Sequence, residues 1–527
     1  MAGLTGVAGI AASAQAVNLN PDGLGQVLIY PFYTSLGDNT TALSVVNTTG
    51  EAKAVKVRFL EGMNSWEVLD FNLYMSEYDV WTAAITTIDG APHLVTTDTS
   101  CTVPYLYDAD FDGTPDAPQP FIDVLYAGVD GNPNFNGDGG PDDIDRAAQG
   151  HFEMIEMGTL VGPSAVAATH VDGVPADCAS LTEAWTDEDV TDPLVGGYWI
   201  LDESVDIEAP SGGLFGGAAV INVEKGFMVS YDARAINGFA TVANPGGIYL
   251  HTEPGNVDPN LNSGDVTDGF VFLEDGTVQA SSGLTRGLDA VSYVFMHDQI
   301  MNEYATEPTG TGIDSDTEWV ITFPTKHLYV NQPAPADIPF TNVWVGNGDD
   351  SGACEVVLLE GEYDREEGTP GDNPNPGEGP VVSPSIPDAL PGLIPFELCF
   401  ETNVIRFGDI DEVAEMGDDD EYVFTAATEI FGTPANRYHN IDLGDDFQFG
   451  WVQIELDDYP HDQNQNGLID PNEADLSRDA LGGLEGLPVT GFSANRYGNS
   501  SLGEGGDVLA NYGGIFQHKG TRKVASS

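Results

Sequence analysis

The sequence predicts a mainly β chain, built as two or more β-sandwich domains of Ig-like or jelly-roll-like type with long loops and little helix. Three observations carry that expectation. The 527 residues include 63 glycines and 33 prolines, a density of turn formers that breaks the chain into short segments. Hydrophobic residues make up 41%, enough for sizeable interiors and too many for a disordered chain. Short runs that alternate apolar and polar residues recur between clusters of Gly, Asn, Asp and Pro, with almost no helical periodicity.

The runs follow in order. Gln26–Tyr33 opens the series. In VKVRF the apolar Val55, Val57 and Phe59 alternate with Lys56 and Arg58, and Leu69, Phe71, Leu73 and Met75 alternate with Asp70, Asn72 and Tyr74. A period of two predicts half-buried strands. The same texture returns in Ala219–Tyr231, Val291–Phe295, Trp319–Phe323, Cys354–Leu359 and Trp451–Leu456. A chain of this length exceeds one compact core, so a boundary is expected near Pro333–Pro339, dividing a β-rich region 17–335 from a second, 336–527. The Pro/Gly-rich stretch 366–395 reads as a long excursion of the second region.

The first sixteen residues, MAGLTGVAGIAASAQA, read as the apolar part of a signal peptide ending at Ala14-Gln15-Ala16, with a buried N-terminal helix as the alternative. No run of about 18 apolar residues follows, so no membrane span is expected in the mature chain. Four cysteines, Cys101, Cys178, Cys354 and Cys399, fit disulfides in an exported chain. Sequential pairing is favoured among three connectivities, and buried free thiols are the other reading. Together these place the protein outside the cell, secreted or at the cell surface.

Sixteen basic residues face 85 acidic ones, a net charge of -69. Nucleic acid is excluded as a partner, because binding it requires a basic surface that displaces counterions from phosphates. Anionic membranes are disfavoured for the same reason. Such a chain repels itself unless salt screens it or bound cations neutralise its carboxylates, which fits a halophilic or calcium-rich setting.

The stretch DQNQNGLIDPNE offers a specific cation site. Asp462, Asn464 and Asn466 stand at positions 1, 3 and 5, Gly467 at 6, the Leu468 carbonyl at 7, Asp470 at 9 and Glu473 at 12. Calcium takes 6–8 oxygens, and this spacing turns alternate side chains toward one point, with a two-oxygen Glu closing the shell. The stretch resembles an EF-hand loop, although the preceding WVQIELDDYP reads as strand and turn rather than an entering helix. A second run, DADFDGTPD, places Asp108, Asp110, Asp112 and Asp116 in a pattern that resembles the calcium repeats of thrombospondin type 3, without the closing Glu. A third, NFNGDGGPDDID, sets Asn134, Asn136, Asp138, Asp142 and Asp145 at positions 1, 3, 5, 9 and 12. Solvated acidic turns are the alternative for all three. Calcium is the expected ligand, and a structural role is the expected purpose.

Other patterns carry less. LPVTG at Leu487–Gly491 matches a sortase signal but lacks the apolar run that should follow. Nine histidines never reach HExxH spacing, and neither a GxSxG elbow nor a P-loop occurs. No catalytic centre is therefore expected. Lys519, Arg522 and Lys523 form a basic tail that would suit docking onto a neighbouring copy, or simply an ordinary terminus.

Segments such as GQVLIYPFYT, WVITFPTKHLYV and LANYGGIFQHKG are similar to uncharacterised exported proteins of Gram-negative bacteria, a resemblance that implies export. The resulting expectation is an exported, calcium-stabilised structural protein of the cell surface or extracellular matrix, self-assembling into an array, filament or S-layer-like component. The alternative is a calcium-dependent adhesin or polysaccharide-binding protein, with Trp66, Trp81 and Tyr78 as candidate platforms. A secreted hydrolase is the third reading.

Overall fold

The computed structural model describes residues 16–106, 118–129, 132, 137–186, 196–306, 314–331, 338–349, 351–364, 381–383, 394–409, 413–416, 422–442, 448–459, 476–477, 479–502 and 508–525. Within them the chain is mainly β, with several antiparallel sheets. The first sheet runs through Arg234–Asn237, Val27–Thr34, Gln149–Leu160, Lys53–Glu61 and Glu67–Met75 to Cys101–Val103. The second runs through Phe227–Asp232, Leu214–Asn222, Asn39–Asn47, Val80–Ile88 and Ala91–Val95. A third centres on Glu355–Asp364, Phe449–Glu455 and Gln299–Ala305. A fourth centres on Thr402–Phe407, Asp314–Thr322 and Thr490–Leu502.

Residue parity explains how these layers stack. In Val27–Thr34 the even positions Leu28, Tyr30 and Phe32 enter a core shared with Val45, Trp81 and Val220 of the second sheet. The odd positions Val27 and Ile29 enter another core, shared with the helix Gly287–Phe295 and with Val357, Ile454 and Trp319 of the third and fourth sheets. Successive strand side chains point to opposite faces, so the first sheet is covered on both sides. Its central strand Gln149–Leu160 is accordingly buried at every position, whereas Asn39–Asn47 in the second sheet alternates between buried and half-buried.

Two expectations need correction. Lys53–Glu61 and Glu67–Met75 are not half-buried: Lys56, Asn72 and Tyr74 are fully buried and Arg58 nearly so, because the core around Ala54 and Tyr74 covers the face they point to. Val291–Phe295 is not a strand but the C-terminal half of the helix Gly287–Phe295. That helix starts where the Asp289 carboxylate accepts from the Arg286 backbone N–H at 3.0 Å. It is buried at every residue, and its short polar side, Asp289 and Ser292 one turn apart, meets the Tyr329 hydroxyl rather than solvent.

Strands also cross the point 335/336. Gln299–Ala305 pairs with Phe449–Glu455, and Asp314–Thr322 pairs with both Thr402–Phe407 and Thr490–Leu502. The basic tail folds onto its own body: Lys519–Thr521 pairs with Gln299–Ala305, and Lys523 Nζ lies 2.6 Å from Asp457 and 3.0 Å from Glu485. Two disulfides join Cys101 to Cys178 and Cys354 to Cys399, the sequential pairing. No described helix is long and apolar enough to cross a membrane.

Candidate functional site

The acidic stretches expected to bind calcium are bounded by ordered backbone. Asp462, Asn464, Asn466, Leu468, Asp470 and Glu473 lie outside the described residues, but their flanks do not. Asp458–Tyr459 and Leu476–Ser477 pair as an antiparallel ladder, Asp458 with Ser477 and Tyr459 with Leu476, closing the base of 460–475. Phe449–Glu455, just before it, is a strand of the third sheet, so this flank is not helical. Asp108, Asp110, Asp112 and Asp116 also lie outside the described residues. Before them stands the strand Cys101–Val103, tied by Cys101 to the helix Cys178–Glu183, and after them Gln119–Pro120 pairs at the edge of the second sheet.

Of the third group, Asn134 and Asn136 lie outside the described residues and Asp138, Asp142 and Asp145 lie within. Asp142 and Asp145 are exposed. Asp138 turns inward, and its carboxylate accepts from Arg146 Nη2 at 2.6 Å, Arg146 Nη1 at 3.0 Å, Trp66 Nε1 at 3.0 Å, Asn64 Nδ2 at 3.1 Å and the Gly140 N–H at 3.0 Å. Burial would raise its pKa, but the hydrogen bonds and charge of Arg146 outweigh burial and hold it below the ordinary carboxylate value. Among the described residues the only grouping of three potential metal ligands is Cys354, Glu397 and Cys399. Both of its sulfurs are spent on a disulfide, so it offers no thiolate.

Arg146 is the hub that fixes this corner. Beyond Asp138 it holds Glu61, and its guanidinium lies 4.4 Å from the Tyr126 ring centre and 5.7 Å from that of Trp344. Glu61 in turn accepts from the backbone N–H groups of Met63, Asn64 and Trp66 at 2.8, 2.9 and 3.0 Å, so one carboxylate organises the whole turn after its strand. Sequence reading assigned no part to Arg146 or Glu61, which lie 85 positions apart.

A layer of enclosed charges continues across the first sheet. Lys53 pairs with Glu156 at 2.8 Å, Lys56 with Asp70, and Arg58 with Glu67 at 2.7 Å and with Glu153. Lys326, Arg406 and Arg437 are also buried, so with Lys53, Lys56, Arg58 and Arg146 seven basic residues among the described ones are withdrawn from the surface. Enclosing charges is costly unless each is paired and hydrogen-bonded, which these pairs provide. The one available signal was local: KAVKVR packs three of the chain's sixteen basic residues into six positions.

The candidate aromatic platforms divide. Trp81 is fully buried against Phe71, with ring centres 5.6 Å apart, and Trp66 donates to Asp138. Tyr78 is exposed. No protein-family model, no curated protein and no solved structure matches the chain.

Proposed function

We propose that the chain is an exported structural protein of the cell surface or extracellular matrix, stabilised by calcium and assembling with copies of itself. The observation that carries this reading is the distribution of charge. Among the described residues seven cations lie inside, most of them in ion pairs, so few of the chain's sixteen remain on a surface that carries most of its 85 acidic residues. Such a surface needs counterions from outside, and closely spaced carboxylates on loops with fixed ends are the places where divalent ions bind. The ladder below 460–475 and the Arg146 hub beside Asp138 supply fixed ends. Two disulfides suit an oxidising exterior. The first and second sheets, facing each other across one core, are read as a β-sandwich.

Electron microscopy of the purified protein with and without calcium tests the assembly. Ordered arrays or filaments that form with calcium and disperse with chelator are expected. Monodisperse monomers at all calcium concentrations would sink the assembly reading and leave a calcium-stabilised monomer or the adhesin.

A further inference from the structure

A cavity of about 400 Å³ opens where the two ends of the described chain meet. Leu19 and Asn20 line it from the beginning of the chain, Arg234 from the edge of the first sheet, Phe270 and Phe272 from a hairpin, and Gln517 and Arg522 from the end. Its two arginines are the unusual feature. In a chain with 85 acidic residues, neither Arg234 nor Arg522 makes an ion pair among the described residues.

Arg234 Nη1 donates to the Gln517 side-chain oxygen at 3.0 Å. Arg522 reaches only backbone carbonyls, Val294 at 3.3 Å and Phe272 at 3.5 Å, and its buried Nε–H has no partner. The Nε–H is closed off from the cavity, but each terminal nitrogen of Arg522 carries two N–H donors and meets only one distant carbonyl, so donor capacity is left for an occupant. Burial lowers the pKa of both guanidiniums, and the charge of Arg234 lowers that of Arg522 further, offset only in part by Tyr293 and the Asp298 carboxylate. Asp232, also in the lining, is exposed and pairs with neither.

We propose that this cavity binds a small organic monocarboxylate, its oxygens held by Arg234 and Arg522 and its apolar body against Phe270 and Phe272. Guanidinium groups match the two oxygens of a carboxylate in geometry. The aromatic and aliphatic walls would contribute nothing to an inorganic anion. The strongly negative field of the protein penalises a dianion more than a monoanion.

Calorimetric titration of the full chain with benzoate, acetate, benzamide and inorganic sulfate tests the proposal. Benzoate is expected to bind saturably and at least about tenfold more tightly than the other three. R234Q and R522Q should each weaken benzoate by at least about tenfold, while Lys519→Gln, on an exposed cation elsewhere, leaves it unchanged. F272A, which alters a half-exposed ring and spares the fold, should bring benzoate down toward acetate. Absence of saturable benzoate binding, sulfate binding as tightly as benzoate, or undiminished binding in folded R234Q and R522Q would each overturn it.

Discussion

Arg146 and Glu61 meet side by side inside the protein, Nε 2.8 Å from one carboxylate oxygen and Nη2 3.0 Å from the other, with neither side chain reaching solvent. Removing one partner of an enclosed pair leaves the other charge without compensation, which costs about 3–5 kcal/mol. Arg146→Met is therefore expected to lower the unfolding free energy by about that amount, read from urea midpoints. Lys225→Met breaks a pair with Glu429 that is 35% and 53% exposed, and should cost less than about 1 kcal/mol. Equal losses in the two variants would contradict the enclosed-hub account.

Much of the strand pattern was legible, because alternation is a property of neighbouring residues. The runs read at Gln26–Tyr33, Trp319–Phe323 and Trp451–Leu456 fall on strands, whereas Ala219–Tyr231 is broken by a turn into the hairpin of Leu214–Asn222 with Phe227–Asp232. What covers a strand is not local. Lys56 and Asn72 lie inward because a segment far along the chain closes over them: the Lys56 Nζ reaches the Glu253 carbonyl, and Asn72 donates to that of Thr252. The helix Gly287–Phe295 escaped notice because nine residues, with only Asp289 and Ser292 marking a polar side, leave its apolar run Val291–Phe295 indistinguishable from a buried strand. The calcium stretches remain a matter of spacing alone, and of the third group only Asp138 acquires described partners.

Buried titrating groups set opposing pH dependences. Burial, the dominant cause, lowers the pKa of His151 and of His251 to about 3. An unfolded histidine titrates near about 6.5, so between these values the unfolded chain binds protons that the folded one refuses, and stability falls as pH drops from about 6.5 toward 3. Glu318 runs the other way: burial raises it to about 7 against the backbone N–H groups of Ile430 and Phe431, so its contribution is full below about 4.5 and is lost as pH rises through 7. His151→Gln should flatten the acid limb by up to about 1.4 kcal/mol per pH unit, and Glu318→Gln should flatten the rise-dependent loss near neutrality. Urea midpoints across pH 4–8 read both, and an unchanged acid limb in His151→Gln would refute the first.

Each disulfide closes a long segment, 77 residues for Cys101–Cys178 and 45 for Cys354–Cys399. Restricting the unfolded chain over such spans is worth about 4 kcal/mol in the chain-entropy model. Replacing both cysteines of either pair by serine should lower stability by about 2–5 kcal/mol, and reductant should have the same direction of effect on the unaltered chain. Reduced and oxidised protein melting together would show that neither bridge constrains folding.

Calcium and simple screening are separable. Salt at about 1 M shortens the Debye length to about 3 Å and relieves repulsion everywhere on the surface, whichever loops are intact. A specific site adds RT ln(1 + [Ca]/Kd), which for about 10 mM calcium and a Kd of about 10⁻³ M is about 1.4 kcal/mol. Asp462→Ala should therefore lose the part of the melting-temperature rise that calcium adds on top of about 1 M NaCl, and keep the rise that NaCl gives alone. Asp138→Asn should behave differently, destabilising the chain with or without calcium, because its carboxylate answers to Arg146. If chelator leaves the melting temperature of the unaltered chain unmoved and Asp462→Ala is silent, the structural role of calcium falls, and salt screening alone must hold this acidic surface together.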